Sequence, residues 1–229
     1  MFRTALITAL PIFIIGCGGS GDDSSEAAAI GNVVDTVAKT RQADLHFVNT
    51  TGDAIDYHIR HTLSEDTLFA STNKVTSNLD TQITPYMYRW NISDTVTVQI
   101  GIQDTNTQSI TSEIESLLIK ENDDRWVIAW LDEGKTEQYK VSSVTRNQSS
   151  EAGKYRVRVF SQADAQIITT ASISFTDAKQ GVVTPYLTVE NCNGDLHFGA
   201  ESIDICQLDI GKSYLLITNG EDLLMAAEE

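Results

Sequence analysis

Any chemistry in this chain has to come from four histidines, a surplus of carboxylates and a few clustered aromatics. His58 and His61 stand three apart, which on a strand sends them to opposite faces. Sharing a metal would need a helix or a bend, so both are read as surface histidines; His197 is the fourth. His46 alternates with Leu45 and Phe47 and is read as the solvent-side neighbour of core residues. Carboxylates bracket one apolar run, with Asn122-Asp123-Asp124 before it and Asp132-Glu133-Gly134 after it. A straight strand over Arg125–Leu131 would hold the two clusters about 20 Å apart, too far for a two-carboxylate glycosidase. Either turn could offer oxygens to a weak Ca²⁺, but the D-x-[DN]-x-[DN]-G loop is missing, and solvated turns are expected instead. No G-x-S-x-G elbow and no H-E-x-x-H helix is present. No catalytic, cofactor-binding or metal residue is therefore assigned, and the expectation is a chain that is not an enzyme.

The aromatics have two readings. Trp126 and Trp130 share a strand face with Ile128, and Tyr86, Tyr88 and Trp90 share another. Exposed, they would make a platform for stacking sugars; covered by an opposing sheet, they would be core. The core reading is preferred.

A formal charge of −16 and a pI near 4.5 exclude nucleic acid as a partner, because phosphates demand a Lys/Arg surface. The same charge disfavours adsorption of the folded body on anionic lipid heads and serves solubility.

The start of the chain carries the sharpest signal. Arg3 is followed by an apolar run from Ala5 to Ile15, interrupted by Thr8 and Pro11, and then by Ile14-Ile15-Gly16-Cys17. A charged start, a short apolar stretch and small residues at a cut site make a secretory signal peptide over residues 1–16, and about 12 apolar residues are too few to span a bilayer. The tetrapeptide resembles the lipobox of bacterial lipoproteins. That resemblance implies cleavage before Cys17, lipid on its thiol, and a protein held at a bilayer by acyl chains without a spanning helix. Asp after the lipid Cys favours inner-membrane retention in that family; Gly18 stands there, which implies the outer membrane. With Cys17 given to lipid, Cys192 and Cys206 remain as a pair in an oxidising compartment, where a disulfide is the default. A redox pair would more typically be spaced C-x-x-C, and zinc would need more ligands nearby.

Residues 17–42 are expected to form a lipidated flexible tether: Gly18–Ser25 reads GGSGDDSS, which lacks any core residue. From Ala43 on, period-two alternation dominates, as in Thr95–Ile100 and Lys154–Val159. Other expected strands are Leu45–Asn49, Ile55–Arg60, Ile83–Trp90, Trp126–Leu131, Glu137–Val141, Val182–Val189 and Tyr214–Thr218. Ile114, Leu117 and Leu118 have helical spacing and make Ser112–Lys120 the best competitor for helix, though helix is not the preferred reading there. Ile83-Thr84-Pro85-Tyr86-Met87 matches Val183-Thr184-Pro185-Tyr186-Leu187, with Val96 and Val98 meeting Leu196 and Phe198 at the same offset, and Trp126–Ala129 resembles Tyr214–Ile217. DLHF occurs at Asp44–Phe47 and Asp195–Phe198, out of this register, and is read as coincidence. The expected fold is therefore all-β, with two tandem antiparallel β-sandwich modules, residues 43–148 and 149–229; one large sandwich is the alternative. The arrangement resembles secreted bacterial proteins with tandem immunoglobulin-like modules. A lipid-anchored envelope protein is expected, with a non-catalytic binding or structural role and an envelope protein or glycan as partner. The alternatives are a carbohydrate- or peptide-binding accessory module, or a hydrolase with a site assembled from loops.

Overall fold

The computed structural model describes residues 39–229, apart from residue 92 and residues 133–137. The signal peptide, Cys17 and nearly all of the tether expected above lie outside the described residues. The first half of the body contains β1 (Arg41–Thr50), β2 (Ile55–His61), β3 (Lys74–Asn78), β4 (Ile83–Trp90), β5 (Thr95–Asp104), β6 (Ile110–Lys120), β7 (Asp124–Asp132) and β8 (Gln138–Thr145). The second contains β9 (Tyr155–Ser161), β10 (Ala165–Thr169), β11 (Ser174–Ala178), β12 (Leu187–Val189), β13 (Leu196–Phe198), β14 (Glu201–Ile203), β15 (Ser213–Thr218) and β16 (Leu223–Glu228). The body is all-β, and β1 begins at Arg41, two residues before the expected tether end at Gln42–Ala43.

The strands form four sheets of four. Sheet I has the order β4-β1-β7-β8 and sheet II β3-β2-β5-β6; sheet III has the order β12-β9-β15-β16 and sheet IV β11-β10-β13-β14. Adding eight to every strand number of the first pair gives the second pair. Each half also contains one parallel pair, β1 with β7 and β9 with β15, in sheets that are otherwise antiparallel. The matching T-P-Y segments fall at corresponding places, at or just before β4 and β12. Val96/Leu196 and Val98/Phe198 fall on β5 and β13, and the DLHF copies fall on the non-equivalent β1 and β13.

Side-chain alternation explains how the sheets stack. Leu45, Phe47, Val127 and Ala129 of sheet I meet Ile55, Tyr57, Val98 and Ile100 of sheet II in one core. Val157, Val159, Tyr214 and Leu216 of sheet III meet Ile167, Leu196 and Phe198 of sheet IV in a second. The opposite faces of sheets I and III are apolar too. Val48, Trp126, Ile128, Trp130 and Val144 close on Phe160, Leu215, Ile217, Met225 and Ala227 in a third core. Sheets I and III are thus buried on both faces, which is why β7 and β15 read WVIAW and YLLI rather than apolar-polar.

Ser112–Lys120 is strand, not helix. On β5, Val98 and Ile100 are two apart, but they pair with Leu117 and Ile114 of β6, three apart. A bulge places one extra residue on β6, so Ile114 and Leu117 both reach the core while Leu118 stays exposed. The bulge imitates a helical spacing.

The two sandwiches run in the same direction. Gln162, just past β9, donates through Nε2 to the Thr50 hydroxyl at the end of β1, 2.9 Å away, and Gln180 donates to Asp132 at the end of β7, 2.8 Å away. At the other end Arg158 donates to the Thr145 carbonyl, 2.9 Å. One end, the base, holds Arg41, where the chain enters, together with the connection 146–154. The other end, the apex, holds the turns that follow β1, β3, β5, β9, β11, β13 and β15.

Candidate functional site

The seam between the sandwiches gathers most of the residues singled out by type. Trp126 and Trp130 are 2% and 6% exposed, so they form core between sheets I and III and no sugar platform. Trp90 is likewise buried, and Tyr86 and Tyr88 pack against the first core. Trp130 Nε1 donates to Ser142 Oγ at 2.9 Å, and its ring meets Phe160 edge-on.

His46 does lie opposite Leu45 and Phe47, but on the face that meets the seam, where its side chain keeps only 18% exposure. Its Nε2 is 3.0 Å from Asp124 Oδ1, its ring is 5.1 Å from Trp126, and the Arg146 guanidinium lies over the same indole at 5.2 Å. Burial pushes the His46 imidazole below its ordinary value, against the pull of the Asp124 carboxylate, and Arg146 adds to the lowering. Beside it, Arg158 Nε donates to Glu229 Oε1 at 3.0 Å with both side chains nearly shut off from water. The Tyr186 ring lies under Arg156 and Arg158, and its hydroxyl donates to the Asn147 carbonyl.

His58 corrects the surface reading. It is 2% exposed and lies under Phe69 of the segment between β2 and β3, rings 5.3 Å apart. Neither ring nitrogen makes a well-formed hydrogen bond, and burial lowers its pKa against the Asp56 charge. Asp56 is itself buried, and donors on Lys74, Ser77 and Thr105 hold its carboxyl below the usual range in spite of that burial. Asp123 and Asp124 begin β7 at the base and Asp132 ends it at the apex, so the clusters do not meet; Glu133 and Gly134 lie outside the described residues. Among the described residues no group of three His, Cys, Asp or Glu could hold a metal. Cys192 and Cys206 form a disulfide joining two basal loops of the second sandwich.

A cavity of about 140 Å³ lies at the base of the seam, lined by Asp124, Arg146, Asn147, Gln148 and Glu229, and two others lie at the apex. A cavity of about 600 Å³ is walled by three turns of the second sandwich and includes Asp164, Phe198, Ala200, Glu201, Gly220 and Glu221. Asn219 also lines a neighbouring cavity of about 210 Å³ at the seam, with Thr51, Gly52, Asp80 and Gln162. The Gln180 N–H and the Lys179 ammonium hold the Asp164 carboxyl below its usual range, so the rim is anionic at neutral pH. Of these apical residues the sequence marks only Phe198, as a strand position of the repeat, because turn residues look alike until pairing brings the turns to one end.

No family model matches this chain, and no curated protein does.

Proposed function

We propose that this chain is an envelope lipoprotein with a non-catalytic binding role, anchored through Cys17 in the outer membrane and presenting its apical cavities to a ligand. The observation that carries the reading is the separation of the two ends. The chain enters at Arg41, at the base of β1, and the cavities lie beyond Thr50 at its tip. Ten residues of strand hold them about 30 Å apart. Welding through sheets I and III makes the body a stiff spacer, which suits display. Neither apical cavity is lined by a histidine or cysteine, which suits binding better than hydrolysis. The immunoglobulin-like reading of each half is supported by its size and two-layer build. The order 3-2-5-6 over 4-1-7-8 differs, however, from the ABED-over-CFG order of that fold.

The test is Cys17→Ser in the full chain, followed by intact mass and membrane fractionation. The wild-type protein carries acyl mass on Cys17 and fractionates with the outer membrane, while the variant is released to the periplasm. A wild-type chain with a bare thiol or an uncleaved leader sinks the anchor. Photocrosslinkers at Ala200 and at Leu118 then compare apex with side: an envelope partner captured from Ala200 alone supports the apical site, and capture from Leu118 alone removes it.

A further inference from the structure

The body is polarised along its axis in charge and in exposed apolar surface. Near the apex the described basic side chains are Lys140 and Lys179, whereas Lys39, Arg41, Arg89, Lys120, Lys154 and Lys212 crowd the base. Several acids of the base are offset, through pairs such as Lys39–Glu121, Arg41–Asp94 and Lys212–Glu228, and among the described residues the excess of acids over basic side chains is greater at the apex.

Large apolar side chains protrude from the same basal end. Leu63, in the turn after β2, is 79% exposed; Ile173, at the β10–β11 tip, 78%; and Ile210, in the turn before β15, 55%. Phe175 stands beside Ile173 on β11 and is also exposed. Ile173 adopts φ +47°, a left-handed conformation that β-branched residues avoid, so the fold holds an isoleucine at a strained tip where it packs against nothing of its own. The Cys192–Cys206 disulfide ties down the loop that carries Ile210. Apolar side chains are exposed at the apex too, at Leu79, Ile83 and Val182, but there the described basic neighbours are only Lys179, in the turn of Val182, and Lys140.

We infer that the base is a bilayer-docking surface, with Leu63, Ile173, Phe175 and Ile210 entering the boundary between headgroups and acyl chains while the basal Lys and Arg side chains meet headgroup phosphates. The inference rests on the lipoprotein reading, and a membrane is the favoured occupant because β1 starts, on its Cys17 side, at this same end. The three tips belong to sheets II, III and IV, layers stacked at about 10 Å intervals. Contact at three separated points sets an orientation as well as a distance: the strands stand upright on the bilayer, with the acidic cavities held clear of it. Shallow apolar insertion combined with basic contacts is the usual physics of interfacial binding.

The experiment uses the full lipidated chain reconstituted into vesicles of phosphatidylethanolamine and phosphatidylglycerol with brominated acyl chains. The variants Ile173→Trp and Ile210→Trp probe the base, and Val182→Trp probes the apex. The basal tryptophans are expected to be quenched severalfold more than the apical one, with part of the effect lost at high salt. Equal quenching at base and apex overturns the docking, whether or not Cys17 carries lipid. Intact mass of the same sample reports the anchor separately, so an undocked body and a missing anchor are different results. Shielding of the basal tryptophans without vesicles, accompanied by sedimentation as a dimer, overturns the proposal in favour of a second copy of the chain.

Discussion

The Trp130 indole occupies the space that a side chain on Gly181 would need. A Cβ there would stand 2.9 Å from Trp130 Cζ2, and Gly181 has φ +72°, a region favouring glycine. The contact joins β7 of one sandwich to the β11–β12 turn of the other, so it is one of the points where the seam is locked. Gly181→Ala must both strain the backbone and push the indole. It is expected to cost about 1–3 kcal/mol, read as a lower midpoint in urea with altered tryptophan emission. Unchanged midpoint and emission would mean that the seam can yield there freely.

The Arg158–Glu229 pair is buried and hydrogen-bonded, so removing one partner strands a charge. Arg158→Met alone is expected to destabilise by about 3–5 kcal/mol. Adding Glu229→Met is expected to recover much of the loss, since two apolar side chains suit the seam better than one orphaned carboxylate. The three unfolding curves check this, and equal losses in the single and double variants would show that the carboxylate finds water.

Neutral His58 and His46 make stability depend on pH in a defined direction. Both imidazoles sit below the 6.5 of a free side chain, chiefly through burial, so the unfolded chain binds protons more readily. Their contribution is complete above pH 6.5 and shrinks as pH falls from there through the lowered native values. His58→Gln is expected to flatten the part of that slope due to His58. A parallel series of urea midpoints between about pH 7.5 and 5, which spans the imidazole range, measures it; a variant with the wild-type slope places the titration elsewhere.

Gly101 sits under the segment that covers His58, where a Cβ would stand 2.6 Å from Phe69 Cζ and 2.8 Å from Leu68 Cδ2. Gly101→Ala is expected to lift residues 62–73 and make them cleavable by protease while the remaining strands stay protected. Adding Phe69→Ala is expected to restore resistance in part. Cleavage at the wild-type rate in Gly101→Ala would show that the segment is held by other contacts.

Reduction of Cys192–Cys206, 14 residues apart, is expected to remove about 3 kcal/mol by the chain-entropy estimate. The loss should fall first on sheets III and IV, which hydrogen exchange resolves strand by strand. Uniform loss over all four sheets would mean that the seam makes the body one cooperative unit.

Much of the architecture was legible in alternation and in the T-P-Y match, since a half-buried strand advertises its period. Ile83–Trp90 is a strand with those very limits. The failures have one cause: the sequence shows which residues share a face but not what covers that face. His46 does face away from Leu45, yet a second sandwich lies over it; His58 does alternate with core residues, yet Phe69 closes above it. Short strands such as β13 and β14 carry too few residues for a period to register. The apical cavities were invisible because they are made of turns brought together by pairing at long range.

Sheets I and III are counterparts in the repeat, and they meet face to face through corresponding strands: first, seventh and eighth of each half. That is the geometry by which a single repeat would form a two-fold dimer with itself. Residues 146–154 span the two halves at the base, so partners that would otherwise have to find one another by diffusion are fused at high effective concentration. In one chain the two halves need not be identical: Arg158 and Glu229 sit on one side of the joint and His46, Asp124 and Arg146 on the other, an asymmetry that no dimer of identical chains could hold.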